Sequence, residues 1–157
     1  MVNALEAFSP DVNIKVKLMR SIPFFEGFSS DEMAYTAQLS EWLKFELGDV
    51  ILREGDPGST FWIILKGSVR VVKRTEDKND HVLATIPTGE CFGEMSFVSG
   101  QPRTAHIISN EEVFVFKIDG QKLERAAVTL QLKFFKRFTL LLTNRLARTS
   151  SAIFKTS

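Results

Sequence analysis

Apolar and polar positions follow two different periods along this chain, and the period changes twice. From Asp11 to Leu39 the apolar residues fall at helical intervals, Val12, Val16 and Met19, then Met33 and Ala37 after a break at Ser21-Ile22-Pro23. Ser29-Ser30-Asp31-Glu32 supplies a capping residue and early acids for the second helix. Two short helices are therefore expected over residues 11–40.

Near Trp42 the pattern shifts to short runs rich in β-branched and aromatic residues. These are Val50–Leu52, Phe61–Leu65, Val69–Val72, Val82–Ile86, Ala105–Ile108 and Val113–Phe116. Glycine-, proline- and aspartate-bearing groups separate them, among them Leu47-Gly48-Asp49, Lys66-Gly67-Ser68 and Ser99-Gly100-Gln101-Pro102. Many short strands at close spacing predict a small antiparallel barrel or roll over residues 42–118. From Asp119 the helical period returns. With no Gly or Pro after Gly120, a short helix and then a long one to about Ser151 are expected. The fold class that follows is mainly β with flanking helices (α+β).

At 157 residues and 44% hydrophobic content the chain has apolar material for one well-buried domain, 1–157. The formal charge of +1 gives no general reason to invoke nucleic acid. Its distribution changes that picture locally, because residues 120–157 hold eight basic residues against Glu124 alone. The one cysteine, Cys91, rules out an intrachain disulfide, and His81 and His106 lack an acidic partner at metal-ligand spacing. Glu6 near the start, with no basic stretch leading into an apolar core, does not read as a signal peptide, and no apolar run reaches the roughly 18 residues of a spanning helix. A soluble cytoplasmic chain is expected.

The candidate chemistry lies in two turns. Cys91-Phe92-Gly93-Glu94-Met95-Ser96-Phe97, followed after a Gly/Pro turn by Arg103-Thr104-Ala105, combines a glycine, a carboxylate and a guanidinium inside an otherwise apolar roll. The glycine lets backbone N–H groups approach an anion, and an arginine can grip two phosphate oxygens at once. A carboxylate beside a phosphate is repelled by it, so Glu94 makes sense as the acceptor for a neutral donor such as a sugar hydroxyl. A sugar phosphate is the implied ligand. In isolation a Glu and an Arg nine positions apart are usually a solvated ion pair.

These residues resemble the phosphate-binding cassette of the cyclic nucleotide-binding domains, F-G-E-x-[AGS]-[apolar], a variable turn, then R-[ST]-A-x-[apolar]. The cassette, 92–105, stands here as Phe92-Gly93-Glu94-Met95-Ser96-Phe97 and Arg103-Thr104-Ala105-His106-Ile107. A second signature of that family, G-[DE]-x-G, two residues, four apolar residues and x-x-G, stands as Gly55-Asp56-Pro57-Gly58, Phe61-Trp62-Ile63-Ile64 and Leu65-Lys66-Gly67. Trp62 and Phe97 depart from it, being larger than the apolar residues more common there. The resemblance implies an eight-stranded, jelly-roll-like antiparallel β-roll with N-terminal helices and two C-terminal helices, 119–151. It also implies that Arg103 pairs with a cyclic phosphate and Glu94 accepts the ribose 2′-hydroxyl. The backbone at Gly93, Met95, Ser96 and Ala105, with Thr104, would complete the anion cradle, while Val82 and Leu83 would line the base side.

On the long helix Arg145 and Thr149 are four apart and share a face with Phe135, Phe138 and Leu142, Ser150 lying one step round. An Arg-x-x-x-Thr-Ser pattern is similar to the adenine-contacting helix of the catabolite activator branch of that family. It implies cAMP as ligand and a homodimer through this helix, Ser150 reaching across; Thr104 keeps cGMP open. Those relatives continue into a DNA-reading winged helix, whereas this sequence stops at Ser157, so no direct DNA binding is expected. The expected function is a cyclic nucleotide-binding sensor whose ligand repositions the C-terminal helices to signal to an effector protein. The competing expectation is an interaction protein that binds no nucleotide and offers its basic amphipathic C-terminal helix to an acidic partner or a membrane surface, the membrane being the less favoured. No Ser-His-Asp, Cys-His or phosphate-loop lysine constellation is present in the sequence, and no enzyme is expected.

Overall fold

The computed structural model describes residues 6–7 and 11–156, with side chains described over 11–148. Helix α1, Val12–Arg20, opens on Asp11, whose side chain accepts from the Asn13 backbone N–H, and a 3₁₀ turn follows at Pro23–Phe25. Helix α2, Ser30–Leu39, begins with a complete capping box: Ser29 Oγ accepts from the Glu32 N–H at 3.1 Å, and Glu32 Oε1 accepts from the Ser29 N–H at 2.8 Å. Ser29→Ala removes one of these bonds and is expected to cost about 1 kcal/mol, a fall of about 3 °C in Tm for a domain of this size. Thermal unfolding by circular dichroism checks it, and an unchanged Tm contradicts it.

The strands are β1 Glu6–Ala7, β2 Ser40–Phe45, β3 Val50–Leu52, β4 Thr60–Lys66, β5 Val69–Arg74, β6 Asp80–Ile86, β7 Cys91–Phe92, β8 His106–Ser109 and β9 Val113–Asp119. They form two antiparallel sheets, in the orders β1-β2-β9-β4-β7 and β3-β8-β5-β6. Eight of them, β2 to β9, make the expected roll, and the two-residue β1 adds an edge beside β2. Helix α3, Glu94–Ser99, follows β7, and α4, Gly120–Glu124, follows β9.

Period-two alternation explains how one strand serves two layers. On β4, Trp62 and Ile64 face the interior between the sheets, where they join Leu43, Phe45, Ile51, Val69, Ile86, Phe92, Ile107, Val113 and Val115. The opposite face of the five-stranded sheet carries Trp42 and Phe116, which stack at 5.5 Å, and Phe25 of the 3₁₀ turn stacks on Phe116 at 5.6 Å. Each such ring pair contributes about 0.5–1.5 kcal/mol beyond its burial. Lys15 of α1 is buried with its ammonium 5.5 Å over the Trp42 ring, and that burial lowers its pKa from the ordinary lysine value.

The chain divides into two compact units at Arg125/Ala126. The second consists of helix α5, Val128–Thr156, and the residues just before it. Gln131 Nε2 donates to the Ala126 carbonyl at 2.8 Å and ties down the start of the helix. Along it, Phe134 and Phe138 stand four apart with ring centroids 6.2 Å apart, while Leu132 and Leu146 are exposed. Among the described residues no helix is long and apolar enough to cross a membrane.

Candidate functional site

Both motifs singled out in the sequence converge on one side chain. Arg103 is 6% exposed, and its guanidinium donates from Nη1 to the Gly93 carbonyl and from Nη2 to both the Thr60 carbonyl and Thr60 Oγ1, each at 2.9 Å. Its backbone is held as well: the Arg103 N–H donates to the Asp56 carbonyl at 2.9 Å, and its own carbonyl accepts from the Gly55 N–H at 2.8 Å. The loop Gly55–Gly58 is thus a clasp around the arginine.

Two glycines make this approach sterically possible. A Cβ on Gly58 would lie 2.7 Å from Arg103 Nη2, and one on Gly93 would meet Arg103 Nη1 at 3.0 Å and the Thr60 carbonyl at 3.1 Å. Gly93 also has φ +81°, in the left-handed region where a side chain costs about 1 kcal/mol or more. That conformation turns the chain from β7 directly into α3, so Glu94 becomes the first residue of the helix. Glu94 is 2% exposed and Ser96 5%. Burial pushes the Arg103 pKa below the ordinary arginine value, and the field of Glu94 partly restores it. A buried guanidinium and a buried carboxylate thus flank a side-chain-free turn, the first chemically suited to an anion and the second to a hydroxyl donor.

The other candidates are less gathered. Phe92 is buried and stacks on Trp62 at 5.8 Å, which makes it a wall of the core. Ala105 is buried, Thr104 and Met95 are exposed, and Val82 and Leu83 stand on β6 at 61% and 60% exposure. Arg145 lies on α5, whereas the side chains of Thr149 and Ser150 fall outside the described residues. His106 is a structural residue, since its Nδ1 accepts from the Glu54 N–H at 3.2 Å. Thr60 is a site residue that the sequence reading missed. It has no spacing to mark it, because its role depends on β4 starting beside a turn thirty residues further along the chain.

The cyclic nucleotide-binding domain model matches residues 42–129. The chain is 32% identical over 115 residues to cGMP-dependent protein kinase 2 of Homo sapiens, covering 72% of this chain and 15% of that protein. It is also 32% identical over 114 residues to the cAMP-dependent protein kinase regulatory subunit of Dictyostelium discoideum, covering 71% and 33%. The chain therefore spans only a small part of the length of these relatives. Among solved structures, a cyclic nucleotide-binding domain from Methylobacillus flagellatus KT superimposes with a TM-score of 0.78 at 26% identity, covering 93% of this chain and 84% of the other.

Proposed function

The chain belongs to the cyclic nucleotide-binding domain family, and from that premise we propose that it is a regulatory sensor that binds cAMP in preference to cGMP and transforms neither. The observation that carries this reading is the pair of buried charges, Arg103 and Glu94, on either side of the left-handed Gly93. In the ligand complex Arg103 pairs with the cyclic phosphate and Glu94 accepts the ribose 2′-hydroxyl. The N–H groups of Met95, Ser96 and Ala105 face the phosphate, and Val82 and Leu83 of β6 gain cover from the base. Arg145, Thr149 and Ser150 supply the adenine side, Ser150 from a second copy in a homodimer through α5.

Binding is useful as a signal only if it favours one arrangement of the C-terminal helices over another, by as much as the ligand's affinity differs between them. The output is a changed surface for an effector protein in the cytoplasm, and it requires no direct contact with DNA.

Calorimetric titration of cAMP and cGMP, with size-exclusion chromatography of the free and liganded protein, tests the proposal. Saturable binding of both is expected, cAMP tighter by about tenfold, equivalent to about 1.4 kcal/mol. A cGMP preference removes the adenine role of Thr149 and Ser150 in favour of Thr104. No heat with either nucleotide overturns the sensor reading and leaves the basic α5 segment as the functional surface.

A further inference from the structure

The Arg103 guanidinium is hydrogen-bonded to the protein itself through two of its three nitrogens. Nη1 donates to the Gly93 carbonyl, and Nη2 donates twice to one residue, to the Thr60 carbonyl and to Thr60 Oγ1, each at 2.9 Å. A guanidinium grips two phosphate oxygens along one of two edges, where parallel N–H groups stand side by side: Nε with Nη2, or Nη1 with Nη2. Nη2 belongs to both edges. Every two-oxygen grip therefore draws on the nitrogen that Thr60 holds with two bonds. The Nε–H and the second N–H of Nη1 point in different directions, so these two by themselves cannot take two oxygens of one phosphate.

The two acceptors of Thr60 differ in their freedom to yield. The carbonyl is fixed by the strand: Thr60 opens β4 in antiparallel register with Asp119, and the Ser59 carbonyl just before it accepts from the Gly120 N–H at 3.1 Å. The hydroxyl turns about a single side-chain bond. Thr60 is half-buried and stands with Arg103 on the wall of a cavity of about 620 Å³, so that rotation meets open space.

We propose that the Thr60 hydroxyl is a latch on Arg103 that lowers cyclic nucleotide affinity. It competes with the phosphate for Nη2, and it turns away when the arginine takes two oxygens at once. Thr60 is then a residue that sets the affinity of the site by opposing the ligand. The proposal rests on the sensor reading above, because it takes the cyclic phosphate as the competing acceptor.

Thr60→Val deletes the hydroxyl and keeps the β-branched shape suited to a strand. The test is calorimetric titration of cAMP into wild type, Thr60→Val and Thr60→Ser, each shown folded by circular dichroism. Thr60→Val is expected to bind about tenfold tighter than wild type, the size of one hydrogen bond to a charged group. Thr60→Ser, which keeps the hydroxyl, shows no such gain. The sign separates the latch from a merely structural contact, whose loss loosens the arginine and weakens binding. A folded Thr60→Val protein that binds as wild type does, or more weakly, overturns the proposal and leaves the sensor reading standing. An equal gain in Thr60→Ser also overturns it, since the hydroxyl is then not the cause. If wild type binds no cAMP the sensor reading fails; a folded Thr60→Val protein that binds none either takes the latch with it, whereas one that binds shows the latch holding the site shut. Thr60→Ala makes the same deletion and is read in the same way where Thr60→Val does not fold.

Discussion

Arg103→Ala is expected to reduce cyclic nucleotide affinity by a factor of about 10² or more. A hydrogen bond to a charged partner contributes about 1.5–3 kcal/mol, and a two-bond grip on phosphate therefore accounts for about 3–6 kcal/mol. The same substitution removes the three inward bonds to Gly93 and Thr60, so it also destabilises the roll. Affinity must be measured by calorimetry at a temperature where circular dichroism shows the variant folded. Arg103→Lys separates the two effects: it keeps the charge but cannot reach Gly93 and Thr60 with a planar fork, and its affinity should fall between wild type and alanine. A folded Arg103→Ala protein that binds cAMP as tightly as wild type removes Arg103 from phosphate recognition. The clasp also makes the arginine a link. Any ligand that draws the guanidinium toward itself competes with Thr60 and Gly93, and so tugs at the start of β4 and at the turn into α3.

Gly120→Ala is expected to produce the largest loss of stability of any single methyl addition at a glycine in the described structure. A Cβ there would lie 2.2 Å from the Ser59 carbonyl oxygen and 2.3 Å from Cδ2 of Phe97, and neither neighbour can step aside. The Ser59 carbonyl is already engaged, accepting from the Gly120 N–H at 3.1 Å, and Phe97 packs on Phe61 with ring centroids 5.4 Å apart. Overpacking of this kind costs about 3 kcal/mol, which lowers Tm by about 6–12 °C. Gly48→Ala is the control: φ is +84° but nothing lies within 4 Å, so only the backbone penalty of about 1–2 kcal/mol applies. Urea unfolding of the two variants compares them, and equal losses would mean that the Gly120 contacts relax freely. Because Ser59 precedes Thr60 and Phe97 belongs to the cassette helix, Gly120→Ala should weaken cAMP binding as well, whereas Gly48→Ala should leave it unchanged.

Six of the strands were legible in the sequence because β-branched and aromatic runs bounded by glycine turns have few other uses: β3, β4, β5, β6, β8 and β9 all fall on such runs. Strand β2 was not read as a separate run. Ser40 follows α2 with no breaker between them, and Glu41 and Lys44 interrupt the apolar pattern. Strand β7 is two residues long, too short to carry any period. At β6 the apolar content announced a strand correctly but gave no hint of its burial, since only Ile86 of its seven residues is buried.

The residue chemistry of the site was readable in one dimension. Gly93, Glu94 and Arg103 are few, charged or conformationally special, and their spacing is fixed by a short turn, so a string of letters preserves it. What the string does not preserve is the company these residues keep. Thr60 and Asp56 become partners of Arg103, and Trp62 becomes an indole without an acceptor beside Lys117, only when β4 is laid between β9 and β7. Hydrophobic period, turn residues and local charge decide which elements form, because they act between neighbours in sequence. Which polar atoms meet is decided across strands far apart in the chain, where the geometry of the closed roll, and no local preference, sets the distances.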